Sequence, residues 1–471
     1  MNKGISLLLS VSVFVPLWTV ATVRGDELDD LKQKAARLQK KADQAAELAE
    51  IKEQIAELQN RIIQLEAKQR VNEKAAGGQK EDQKADKTMP ARTDFRVFWK
   101  EGLNFATLDE NFKLKIGGRI QNDWLWISED NGTKSDVVGG SALGQQEDGT
   151  EFRRARLCVS GLIYGNIEFK AEYDFAGGDA DFRDVYIGIL DLPIGNIRAG
   201  HFKEPFSLEE LTSCKYITFL ERALPNALVP SRNTGFMLHN AAADERMTTA
   251  IGLFRDTDDY GDTQDDGGYN VTGRITSLPI YTAKGACLLH VGAAYSHRKP
   301  DDSYSFEASP ETHLADDFVA TGSIAGDRVE LLGLEAAWVN GPFSLQSEYI
   351  MADAGRFTGS DVHFDGYYVQ ASYFLTGEHR NYKTSEAFFD RVKPNQNFSN
   401  GGGPGAWEIA LRYSELDLND SNIAGGRLNN VTTGLNWQLN PNTRIMWDYV
   451  HADKNDVGNA DMLMMRLQVD F

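Results

Sequence analysis

The chain has 471 residues and a formal net charge of −20, length enough for two or three soluble domains or one large barrel. The acidic balance excludes nucleic acid as a partner, because phosphate binding requires a basic footprint. Cys158, Cys214 and Cys287 are odd in number and far apart, which excludes a disulfide framework; none has the Cys/His spacing of a structural zinc site.

Residues 1–25 carry Lys3, the apolar run ISLLLSVSVFVPLWTVATV and a small-residue site, VRG, before Asp26. This is the pattern of a cleaved export signal, with a membrane anchor as the alternative. No later run reaches ~18 apolar residues, so no transmembrane helix is expected after it. Residues 26–70 read as a heptad helix. Leu28, Leu31, Ala35, Leu38, Ala42 and Ala45 form one stripe, and Leu48, Ile51, Ile55, Leu58, Ile62 and Leu65 continue it after a one-residue slip. A self-associating coiled coil is expected, the alternative being an amphipathic helix lying on its own barrel. Residues 71–94 form a Gly- and Lys-rich flexible linker.

From about residue 95 the period becomes two. Phe112, Leu114, Ile116, Ile120, Trp124 and Trp126 share one strand face, and Lys113, Lys115, Arg119, Gln121 and Asp123 the other. Ile167, Phe169, Ala171 and Tyr173 alternate with Glu168, Lys170, Glu172 and Asp174. The last run sets Leu463, Met465, Leu467, Val469 and Phe471 against Arg466, Gln468 and Asp470. Soluble sandwiches also alternate, but aromatic residues cluster near the strand ends, as in Trp124/Trp126 and Trp447/Tyr449. Short connections (IYGN, DLPIGN, QLNPN) also alternate with long polar ones such as DTDDYGDTQDDGG. Together these predict an all-β transmembrane barrel over 95–471, with tight periplasmic turns, long outer loops and a bacterial outer-membrane location.

Sixteen antiparallel strands are expected, starting near residues 112, 152, 165, 181, 196, 234, 245, 268, 286, 326, 341, 362, 406, 428, 443 and 461. That number leaves a water-filled lumen. Residues 376–406 break the rhythm: they are long but fall on the short-turn side. Residues 96–106 offer one extra short strand. The third outer loop, 203–233, is charged and proline-rich, with a helical pattern at its centre. Ser207 followed by Glu210 suits a capping box, and Pro225 and Pro230 stop the helix. A segment folded into the lumen can be ordered and apolar on one face, which an outer loop in water cannot easily be, and its charged face is then expected to meet solutes.

The segment FKEPFSLEELTSCKYITFLERALPNALVPSRNTGF resembles the signature of the phosphate-selective porin O/P family of Gram-negative outer membranes. GGRIQNDW, FRRARLCVSGLIYGNIEFKAEYDFA, FLTGEHRNY and GAWEIALRYSELDLND resemble it too, in family order, so the likeness spans roughly 95–471. It implies a homotrimer of sixteen-stranded barrels drawing anions along inward arginines and lysines. Arg119 and Arg154 match basic positions of that ladder, Asp184 an acid near the constriction and Ser213 a phosphate-contacting hydroxyl. Alternation independently puts Arg119, Arg154 and Arg156 on the lumen face. Three positions depart from the pattern: Glu210 stands where family members carry lysine, Cys214 where they carry serine, and Arg156 at what resembles a tyrosine position. Lys203 and Lys215 flank Glu210 and complete the candidate pore-lining set.

The expected function is a porin for passive diffusion of small hydrophilic solutes, anions such as phosphate or polyphosphate, with no cofactor and no catalysis. The alternatives are a general porin without phosphate specificity and an envelope tether, in which the barrel anchors a periplasmic coiled coil that reaches the cell wall or a periplasmic partner. A barrel hydrolase is disfavoured: the eight histidines are scattered and no GxSxG element occurs. Outer-membrane lipid is the expected surround. The acidic outer loops lack EF-hand spacing and read as solvated.

Overall fold

Two-residue alternation works out as sixteen long strands: β1 Lys113–Glu129, β2 Gly149–Ile163, β3 Ile167–Asp174, β4 Asp181–Leu192, β5 Gly195–Lys203, β6 Arg232–Ala242, β7 Met247–Arg255, β8 Asn270–Thr282, β9 Cys287–Arg298, β10 Arg328–Asn340, β11 Phe343–Gly355, β12 Val362–Phe374, β13 Ala406–Asp420, β14 Ile423–Asn440, β15 Thr443–Lys454 and β16 Gly458–Asp470. This is a computed structural model, and it describes residues 95–471 except 265 and 400. The expected signal (1–25), coiled coil (26–70) and linker (71–94) lie outside the described residues.

Each strand pairs antiparallel with the next. The last pairs with the first, from Ala460 opposite Glu129 to Asp470 opposite Arg119. The sheet is therefore closed, and closure is what removes free edges in a membrane. The extra strand expected at 96–106 is a hairpin, Phe95–Trp99 with Leu103–Thr107, the second strand pairing to the start of β1. On the outward face Ile120, Trp124, Trp126, Leu334, Trp338, Leu411, Leu463 and Leu467 are exposed. Trp124 stacks on Trp126, and Trp407 on Trp437, as interfacial girdles do.

At one end the turns are tight. Gly341, with φ of 57°, and Pro342 alone join β10 to β11; the left-handed backbone there favours glycine. At the other end lie long connections at 130–148, 204–231, 256–269 and 299–327. Residues 375–405 sit at the tight-turn end yet form a long excursion containing the hairpin Asn381–Lys383/Phe388–Asp390. Tyr382, Ala387 and Phe389 from it pack with Leu208, Leu278, Leu288, Ala337 and Val339.

The inner face is less uniformly polar than alternation alone predicts. Val329, Leu331, Ile350, Phe364, Leu416, Leu428, Val450 and Met462 are buried wall residues, packed with Leu220, Leu224, Leu228, Phe318 and Val319 from the connections. One side of the barrel thus holds a hydrophobic core, which a water-filled cylinder would not have. The burial of that apolar surface is the main force holding residues 204–231 and 299–327 in place.

Candidate functional site

Residues 204–231 are predicted to be helical at their centre, but only one turn, Leu208–Leu211, is α-helical, with a 3-10 turn at Leu224–Leu228. The cap forms as expected at its first half: Ser207 Oγ accepts from Glu210 N at 3.1 Å. The reciprocal half does not form, because the Glu210 carboxylate turns to Lys203 and Arg222 instead. Beyond Thr212 the wall takes the backbone groups that a helix would use. Leu220 N donates to Asp448 at 2.7 Å. Arg444 donates to the Ile217 and Cys214 carbonyls, Asn436 to Thr218 and Arg466 to Leu220. At the start of the turn, Leu208 N and Glu209 N both donate to Glu348, at 2.9 and 2.8 Å. Every such group must be satisfied when buried, and here polar and ionisable side chains of the wall satisfy it.

Two wall glycines make room for this segment. A Cβ on Gly434 would lie 3.1 Å from the Phe219 ring, and one on Gly333 would lie 2.8 Å from the Phe206 ring. Glycine inside a strand weakens it and marks such close approaches.

Opposite the hydrophobic core, a cavity of about 450 Å³ lies between the segment and the walls of β1–β8. Twelve arginines and lysines line it against four carboxylates, although the whole chain carries a net charge of −20. Arg119 Nη2 meets Glu172 at 2.7 Å, and its Nη1 donates to Cys214 Sγ at 2.9 Å and to Ser213 Oγ at 3.5 Å. Arg156 bridges Glu172 at 3.2 Å and Asp174 at 2.6 Å. Lys170 contacts Asp184 at 2.5 Å and Glu172 at 3.3 Å. Asp184 also accepts from Arg232 at 2.7 Å. Glu172 and Asp184 are thus each shared among two or three cations, while Arg153, Arg198 and Arg274 of the same wall pair with Glu221, Glu168 and Glu335.

Glu210 lies 3.0 Å from Lys203 and 3.1 Å from Arg222. Burial pushes its carboxyl up, but the Arg222 and Lys203 charges outweigh that and hold it below the usual carboxylate range. Glu221 is held lower still: burial opposes ionisation, and Arg153, Arg154 and Arg466 overcome it. The Lys215 ammonium is pushed down to about 8, first by burial and then by Arg119, with Asp470 opposing.

The structure brings Arg119, Arg154, Arg156, Asp184, Lys203, Glu210 and Ser213 to this one cavity. Lys215 is the exception. It turns to a smaller pocket with Tyr216, Arg391 and Asp470, its ammonium 3.8 Å from Asp470. Sequence reasoning missed Arg153, Arg183, Arg222, Arg232 and Lys383, all of which line the cavity. Arg153 and Arg183 neighbour the inward Arg154 and Asp184, so alternation sends them to the opposite face, and the irregular pairing beside each lets them line the cavity; Arg222, Arg232 and Lys383 belong to or adjoin irregular segments, where periodicity gives no direction. Conversely, Arg412, Arg444 and Arg466 share the inward face with the ladder but bond the segment's carbonyls and buried acids.

A family model described as phosphate-selective porin O and P matches residues 115–471. The chain belongs to this family. This porin is 30% identical to Porin O of Pseudomonas aeruginosa over 432 residues, covering 80% of this chain and 93% of that one. It is 28% identical to an uncharacterized protein of Caulobacter vibrioides over 411 residues, covering 81% and 78% of the two chains. Among solved structures, OmpT of Vibrio cholerae is similar with a TM-score of 0.48 and 11% identity, covering 76% of this porin and 98% of that chain. Salmonella typhi OmpF, in complex with daunomycin, has a TM-score of 0.46 and 16% identity, covering 80% and 100%. This porin is an outer-membrane β-barrel channel, not an enzyme.

Proposed function

We propose that this porin passes small hydrophilic anions, phosphate and polyphosphate among them, by passive diffusion, and that residues 203–233 narrow the lumen so that solutes pass the basic cavity. The observation that carries this reading is the surplus of twelve basic over four acidic side chains on the cavity wall. Wall charge at a narrow point sets which ions enter and how fast. In this reading Arg119, Arg154, Arg156 and Lys203 attract the anion and Ser213 offers it a hydroxyl. Asp184 holds Lys170 and Arg232 in position, and Lys215 extends the positive path beyond the cavity. Glu210 would weaken anion preference if it stood alone; its pairing with Lys203 and Arg222 supports the anion reading instead. The functional unit is taken to be a homotrimer in outer-membrane lipid.

The test is the reversal potential of purified porin in planar bilayers under a salt gradient. Anion preference is expected, with chloride current reduced by added phosphate. Cation preference would refute the reading, and anion preference without phosphate block would leave a general anion porin.

A further inference from the structure

Cys214 occupies an unusual place for a thiol. Its Sγ accepts from Arg119 Nη1 at 2.9 Å, and it lines the basic cavity, whereas Cys158 and Cys287 do not. Burial alone would push the thiol up. The charges of Arg154, Arg119, Arg156 and Arg222 more than reverse this, leaving it well below the usual thiol range. A second feature marks the spot as unfinished. Arg154, only 4% exposed, lines the same cavity, and its buried Nε has no hydrogen-bond partner among the described residues. A buried guanidinium nitrogen without a partner is costly and suits an incoming anion. Cys214 is only 5% exposed, less than Cys158 or Cys287, but what surrounds it is the basic cavity rather than apolar packing, and thiolates in electropositive surroundings are the reactive ones.

We propose that Cys214 is a modification site for small anionic disulfide-type electrophiles entering along the cavity, and that the mixed disulfide it forms closes the path. The Cys214 sulfur attacks one sulfur of the reagent and a new S–S bond forms. The reagent's own sulfur bond breaks, and the leaving group departs with the electron pair as an anion, which the guanidiniums stabilise. The thiol proton leaves to solvent as the sulfur attacks, no net oxidant is needed beyond the reagent, and a reductant reverses the step. The added group then fills part of a cavity of about 450 Å³. The blocking half of the proposal rests on the reading of this cavity as the solute path; the labelling half does not.

The test uses the intact porin and two probes of opposite charge, 2-sulfonatoethyl and 2-trimethylammonioethyl methanethiosulfonate. Labelling of each cysteine is followed by mass spectrometry, with rates normalised to a small free thiol. The anionic probe is expected to label Cys214 at least about tenfold faster than Cys158 or Cys287, and the anion-to-cation ratio to exceed that of the free thiol. Arg154→Gln should lower that ratio. In bilayers the anionic probe should step the conductance down, a thiol reductant should restore it, and Cys214→Ser should remove the effect. Labelling of Cys214 no faster than the other two cysteines, or a normalised preference for the cationic probe, overturns the proposal. So does a block that persists in Cys214→Ser. Charge-selective labelling of Cys214 with no change in conductance would refute the closure and the solute path together while leaving the reactive site standing. Absent labelling in a channel that is still anion-selective would sink this proposal alone.

Discussion

Glu210 offers the sharpest perturbation of the cavity wall. It is buried, with Lys203 Nζ at 3.0 Å and Arg222 Nε at 3.1 Å. Each attraction is worth about 5 kcal/mol at an effective dielectric of 20, before the cost of desolvating both partners. Glu210→Gln removes the acid and frees both cations toward the cavity; Glu210→Lys turns two attractions into two repulsions. The first should raise anion over cation permeability by about fivefold, which corresponds to only ~1 kcal/mol at the path and allows for screening by water and salt. The second should shift selectivity further but destabilise the fold by about 3–5 kcal/mol, because it leaves buried like charges. Reversal potentials at 0.1 M and 1 M salt read the effect. It should shrink at the higher concentration, where the Debye length falls to about 3 Å. Unchanged reversal potentials at low salt in both variants, with the circular dichroism of the barrel intact, would show that the pair lies outside the permeation path.

Other expectations follow from the packing and titration of the segments against the wall. Gly434→Val should drive a side chain into Phe219, cost about 1–3 kcal/mol by overpacking and make single-channel currents noisier; Gly273→Ala, where the nearest atom to a Cβ is the Ala250 carbonyl oxygen at 3.6 Å, serves as control, and equal noise in both would count against the seating role. Phe389 is 1% exposed with the Arg380 guanidinium 3.5 Å from its ring centre. Phe389→Ala should cost about 3–5 kcal/mol and enlarge the conductance, as current–voltage measurement would show. The folded Lys215 sheds its proton near pH 8, below the ordinary 10.5, so between those values the unfolded chain holds a proton that the folded one has lost. Stability should therefore gain a rise with pH across that window that Lys215→Met loses, a difference in slope that urea titration of the detergent-solubilised porin can read.

Much of the barrel is legible in the sequence because a strand half in lipid writes its structure with a period of two. The sixteen expected starts fall close to the observed ones, since an outward Ile120 or Trp124 and an inward Arg119 or Gln121 leave no second register. The same alternation put Arg119, Arg154 and Arg156 on the inner wall. It could not say which inward charges meet solute. Arg412, Arg444 and Arg466 carry the same local pattern as Arg119, yet they are consumed by carbonyls of residues 214–221.

The sequence by itself determined the closed cylinder, its sixteen strands, the family and most of the basic wall. Only the tertiary structure decided the conformation of residues 204–231. Their local pattern favours a longer helix, but Asp448, Asn436, Arg444 and Arg466 lie far away in the chain and capture the backbone groups that helix needed. Only the fold, likewise, gave Glu210 its two cations and Cys214 its four. Local propensity acts over a few residues, whereas charge and packing act through space between parts of the chain that sequence order keeps apart.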